Sequence, residues 1–188
     1  MKNWRNAARV SLTTMTLVLA ANWAASAGAQ MPGPTKEHEV LKADVGTWDA
    51  TMKLFHTPGA EPTVSQATET NELIGGMWLL SRFEGQMMGM PFTGVGTWGY
   101  DPADKKYVGT WLDNMSPYPQ TIRGDYDPAT RTMTAVSESR DPMSGEKVAY
   151  RQTTRMVDDD TRVFEMSMPG ENGEYQKMLE VEYKRRAE

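Results

Sequence analysis

Ten stretches rich in β-branched and aromatic residues follow one another through the chain, each separated from the next by turn-forming residues. They fall near 47–55, 64–74, 77–85, 92–100, 105–113, 119–126, 131–139, 146–156, 161–168 and 174–185. The connections leave almost no room for crossover helices, so neighbouring strands are expected to pair antiparallel in a meander. A ribbon of that many strands must dispose of its two edges, and closing into a barrel does so. The expected fold class is all-β, an antiparallel meander β-barrel of about ten strands. A flattened two-sheet sandwich is the competing architecture. An eight-stranded barrel has room for one small ligand and diameter grows with strand number. About ten strands therefore leave an interior that side chains alone fill with difficulty.

The turns repeat a motif. Tyr100-Asp101-Pro102, Tyr126-Asp127-Pro128 and Arg140-Asp141-Pro142 each open with Asp-Pro. Asp at the first turn position accepts a backbone N–H, and Pro at the second presets φ. These aspartates read as turn formers rather than metal ligands, because the alternating acids, glycine and closing glutamate of a calcium loop are missing. A short N-terminal helix precedes the strands: Thr35 caps it, it runs to about Asp44, and Gly46 ends it. His38, Leu41 and Val45 fall on one face of it, expected to turn inward and close one end of the barrel.

Ahead of the helix, Lys2, Arg5 and Arg9 form a basic start, and Val10 to Ala25 is mostly apolar or small without a charge. Ala27-Gly28-Ala29 fits a small-x-small cleavage signal, with Ala25-Ser26-Ala27 as the alternative. Residues 1–29 are expected to be a cleaved signal peptide, and 30–188 a single periplasmic or secreted domain with no integral membrane segment. That mature chain carries 17 basic and 25 acidic side chains, net −8, which argues against a nucleic-acid partner held by bulk charge.

The chain has no cysteine, which removes disulfides, thiolate metal sites and cysteine nucleophiles. Two histidines are too few for a site built on several imidazoles, and neither a nucleophile elbow nor a phosphate loop is present. No cofactor, no metal and no catalytic residue is therefore assigned. Met87-Met88-Gly89-Met90 is the unusual run: thioethers suit Cu(I), but they equally fill irregular gaps at a barrel mouth or form a flexible lid.

Strand alternation nominates the interior. Phe92, Gly94, Gly96, Trp98 and Tyr100 share one face, and Tyr107, Gly109, Trp111 and Asp113 share another. Aromatic walls beside glycine gaps make a slot for a flat or aliphatic guest. Trp48 and Trp78 join this aromatic set. Arg82, on the face of Trp78 and Leu80, is the preferred anchor for a polar head group, while Arg123, Arg151 and Arg155 are expected outside. The candidate ligand-binding residues are His38, Trp48, Trp78, Arg82, Trp98, Tyr100, Tyr107 and Trp111.

Gly46-Thr47-Trp48, just after the helix, resembles the Gly-x-Trp signature of the lipocalin and calycin group. A longer match runs through His38 with Leu41, Gly75-Gly76-x-Trp78, Pro91-Phe92-x-Gly94 and Gly99-Tyr100-Asp101-Pro102. It continues through Tyr107-Val108-Gly109-Thr110-Trp111-Leu112-Asp113, Asp141-Pro142-Met143-Ser144-Gly145 and Tyr183-Lys184-Arg185. This resembles the bacterial family called domain of unknown function 1579. The resemblance implies a calycin-like β-barrel with a helix over one end and implies no known reaction. Haem binding, as in some ten-stranded calycins, is disfavoured because no histidine follows His56.

The leading expectation is an exported protein that binds a small apolar or amphipathic ligand inside its barrel. An enzyme of unknown reaction using His38 is one alternative. An envelope interaction protein with a filled barrel is another.

Overall fold

A computed structural model describes residues 33–57, 59–170 and 172–187. The expected signal peptide lies outside the described residues. Strands form where residues of alternating character allow one face to be buried. They are β1 (Gly46–Leu54), β2 (Thr63–Ile74), β3 (Trp78–Met87), β4 (Met90–Asp101), β5 (Lys106–Asp113), β6 (Gln120–Asp127), β7 (Thr132–Arg140), β8 (Lys147–Met156), β9 (Thr161–Pro169) and β10 (Tyr175–Arg185).

Each strand pairs antiparallel with the next, and β10 returns to β1, Trp48 opposite Arg185 and Leu54 opposite Leu179. The sheet is a closed barrel, which rules out the sandwich. The Asp-Pro corners work as turn chemistry demands. Asp101 Oδ1 accepts the amide of Ala103 at 2.9 Å, Asp127 Oδ1 that of Ala129 at 2.9 Å, and Asp141 Oδ1 that of Ser144 at 2.7 Å. Those amide bonds, with the Thr130 and Ser144 hydroxyls, hold the carboxyls of Asp127 and Asp141 below the usual aspartate value.

The helix is shorter than expected: a 3₁₀ turn, Lys36–His38, runs into α1 (Glu39–Lys42). His38 and Leu41 face inward, 4% and 3% exposed. Val45 does not, because the helix ends before it and the chain has turned outward. The main core cluster joins Trp48, Ala50, Met52, Phe83, Phe92, Met156, Val181 and Tyr183. A second, of Leu41, Leu79 and Tyr107, sits under the helix.

Candidate functional site

The helix end of the barrel is closed by direct bonds. The amide of Thr35 donates to His38 Nδ1 at 2.9 Å, and the hydroxyl of Tyr107 donates to the carbonyl of Glu37 at 2.8 Å. His38 meets Tyr100 edge to face with ring centroids 5.9 Å apart. Burial, with the Glu37 carboxylate nearby, pushes the Tyr107 phenol up to about 12. Trp48 lies wholly buried beneath, its indole N–H donating to the carbonyl of Asp44 at 2.9 Å.

Next to Trp48 sits a charged cluster that sequence reading missed. Arg162 is buried, stacked against Trp48 and Tyr183. It donates to Asp44 Oδ1 at 2.7 Å and also to Glu69 Oε1, which the side-chain amide of Asn71 approaches at 2.7 Å. Burial opposes the charge on Arg162, but Glu69 and Asp44 outweigh it and hold the guanidinium above its ordinary value. Burial pushes the Asp44 carboxyl up, against the pull of Arg162, and drives the Tyr183 phenol far above its usual range. A buried cation with both ends of its fork taken by carboxylates is a structural tie between strands.

On the β3–β5 wall, cross-strand glycines receive indole rings. Gly96 stands opposite Trp111, and Gly109 opposite Trp98. A methyl at Gly96 would lie 3.0 Å from Trp111 Cε3, and one at Gly109 would lie 3.2 Å from Trp98 Cδ2. The expected slots are thus occupied by the protein's own tryptophans, which lie flat along the wall because no Cβ holds them off. Trp111 is further fixed by its N–H donating to Asp113 at 2.9 Å.

Beyond that wall the barrel encloses a cavity of about 700 Å³, within the range of small-molecule sites. Apolar side chains dominate it, among them Leu79, Phe83, Trp98, Trp111, Ile122, Phe164 and Val181, with Met52, Met156 and Met166. Its polar groups include Arg162, Glu69, Asp44 and Tyr183 toward the helix, Asp113, Gln120, Arg140 and Asp141 toward the opposite end, and Gln152, tied at mid-depth to Ser137 at 2.9 Å. At the end opposite the helix the lining runs out to Met88 and Met143, which are 52% and 93% exposed.

The nominated residues separate into three groups. Trp98 and Trp111 line the cavity. His38, Trp48, Tyr100 and Tyr107 lie at its helix end and outside the lining, His38, Tyr100 and Tyr107 packed ring against ring and Trp48 against Arg162 and Arg185. Trp78 and Arg82 face outward: Trp78, 43% exposed, lies against Gly99, and Arg82 shares its exposed face with Glu84. Neither reaches the interior, because β3 is apolar on both sides at its start and turns Leu79, Ser81 and Phe83 inward. Arg123, Arg151 and Arg155 are exposed, as expected. His56 is exposed beside Thr63, 3.1 Å away. Among the described residues no three His, Asp or Glu side chains converge on a metal position, and no helix is long and apolar enough to cross a membrane.

Fold and site together define a closed ten-stranded antiparallel barrel, sealed at one end by a helix and hollow within. The chain belongs to the family described as Protein of unknown function (DUF1579), whose model matches residues 33–185. No curated protein matches it. Among solved structures it is similar to Rv2717c from M. tuberculosis. That match has a TM-score of 0.63 and 13% identity, covering 81% of this chain and 99% of the other. It is also similar to the S-type phycobiliprotein lyase CPES from Guillardia theta. There the TM-score is 0.56 and the identity 10%, covering 83% of this chain and 96% of the other. At such identities the likeness is one of fold.

Proposed function

We propose that this protein is an exported binding module that takes a small apolar or amphipathic molecule into its barrel. The observation that carries the reading is the cavity of about 700 Å³, lined chiefly by aromatic, aliphatic and thioether side chains. A barrel serving only as a filled scaffold leaves that space without a purpose. The His38 alternative gains no support, since His38 spends Nδ1 on the Thr35 amide and lies outside the lining. Export rests on the basic start, the uncharged run and Ala27-Gly28-Ala29. A mature protein recovered from the periplasm with Gln30 at its N-terminus is the expected product.

Phenylnaphthylamine, a neutral apolar fluorophore, tests the reading. It is expected to brighten on binding and to take energy from Trp98 and Trp111. Thr154→Trp, placed on the cavity wall of β8, is expected to fill the space and abolish both signals while the barrel still melts cooperatively. An unaltered signal in that variant, or none in the parent, defeats the proposal.

A further inference from the structure

Ten of the twelve methionines among the described residues line the cavity, and most of these gather at one end. Met87 and Met88 come from the β3–β4 hairpin, Met115 from the β5–β6 loop, Met143 from the β7–β8 loop, Met168 from the end of β9, and Met178 from the bulge in β10. Separate connections thus bring thioethers to the rim opposite the helix.

Local structure does not account for them. Met88 has a φ of 54° in a two-residue turn, a position where Asn, Asp or Gly is cheaper. Met143 sits in the Asp141 turn with 93% of its surface exposed, so it contributes no core. Exposure also grades along the barrel: Met168 is 37% and Met88 52% exposed at the rim, against 2% for Met52 and 9% for Met156 inside. With no cysteine in the chain, thioethers are its only sulfur.

We propose that this rim is an oxidation-responsive entrance, at which hydroperoxides convert Met88, Met143 and Met168 to sulfoxides and so weaken binding of an apolar guest. The inference rests on the binding reading above. In the step, the thioether sulfur attacks one peroxide oxygen and the O–O bond breaks. That oxygen stays on sulfur, and the other leaves as an alcohol, or as water from hydrogen peroxide. Sulfur loses two electrons and the peroxide gains them. The product replaces the apolar thioether part of the entrance with a strongly polar group, and the change is reversible by a sulfoxide reductase.

The experiment doses the folded mature protein with hydrogen peroxide, maps each methionine by peptide mass spectrometry, and measures phenylnaphthylamine affinity at each dose. Met88, Met143 and Met168 are expected to oxidise well before Met52 and Met156, and the Kd to rise at least about tenfold as they do. A triple variant with Leu at these three positions is expected to keep its affinity at the same dose. Unchanged affinity after rim oxidation overturns the inference and leaves the binding reading standing. So does an equal loss in the triple variant, or a loss that follows only from unfolding seen by circular dichroism. A reduced protein that binds no probe overturns both.

Discussion

The guanidinium carbon of Arg162 lies 4.1 Å from the ring centroid of Tyr183, while its two nitrogens bind Asp44 and Glu69. The arginine joins β9 to β2 and to the turn before β1. Arg162→Ala is expected to cost about 3–5 kcal/mol, because it leaves carboxylates buried without their cation. Combining Arg162→Met with Asp44→Asn and Glu69→Gln should recover most of that loss. Urea unfolding of the two variants measures the difference.

The Tyr107 phenol makes the helix cap sensitive to alkali. Its folded value, about 12, lies above the ordinary value of 10. The unfolded chain therefore releases that proton first as pH rises. The contribution to stability is whole below about pH 10 and is lost as pH climbs toward 12, with a size on the order of 2 kcal/mol. Tyr107→Phe should remove this part of the alkaline loss and cost about 1 kcal/mol at neutral pH through the bond to Glu37. Tyr150 and Tyr183, shifted upward by burial, should retain a remainder. Chemical denaturation at a series of pH values between 8 and about 12 follows it.

Met88→Asn converts the β3–β4 turn to Asn-Gly, which suits the positive φ of both turn residues. The variant should gain about 0.5–1 kcal/mol. A rise in melting temperature is the expected result.

Gly94→Ala places a methyl where the Trp111 ring lies. Overpacking of this kind costs about 1–3 kcal/mol, and the indole must swing toward the cavity. Tryptophan fluorescence should shift and probe affinity should fall, whereas Gly33→Ala, with no atom in the way, should change neither.

Strand positions were legible because side chains alternate and turns announce themselves; every observed strand end falls within two residues of its expected place. Relative faces were legible too, as Trp98 and Gly109 show. Which face points inward was harder where both are apolar, and β3 is the case: Trp78 and Leu80 compete with Leu79 and Phe83. The polar run Arg82, Glu84, Gln86 on the outer face held the answer. The inward arginine had its own signal, since Arg162 alternates in register with Phe164, Met166 and Met168. Its acids did not. Asp44 and Glu69 lie 118 and 93 residues away in the chain, a proximity that only barrel closure creates. The glycine gaps misled for a similar reason, because their occupants stand on the neighbouring strand.

The seam between β1 and β10 carries a consequence for how this protein comes to be. The strand that completes the ring is the one synthesised last, so no partial barrel has satisfied edges. Until that moment β1 offers a bare backbone ladder to any neighbour, and pairing across so long a loop is slow. The misassembly hazard of such a seam is a swapped hairpin between two molecules whose rings have not yet closed.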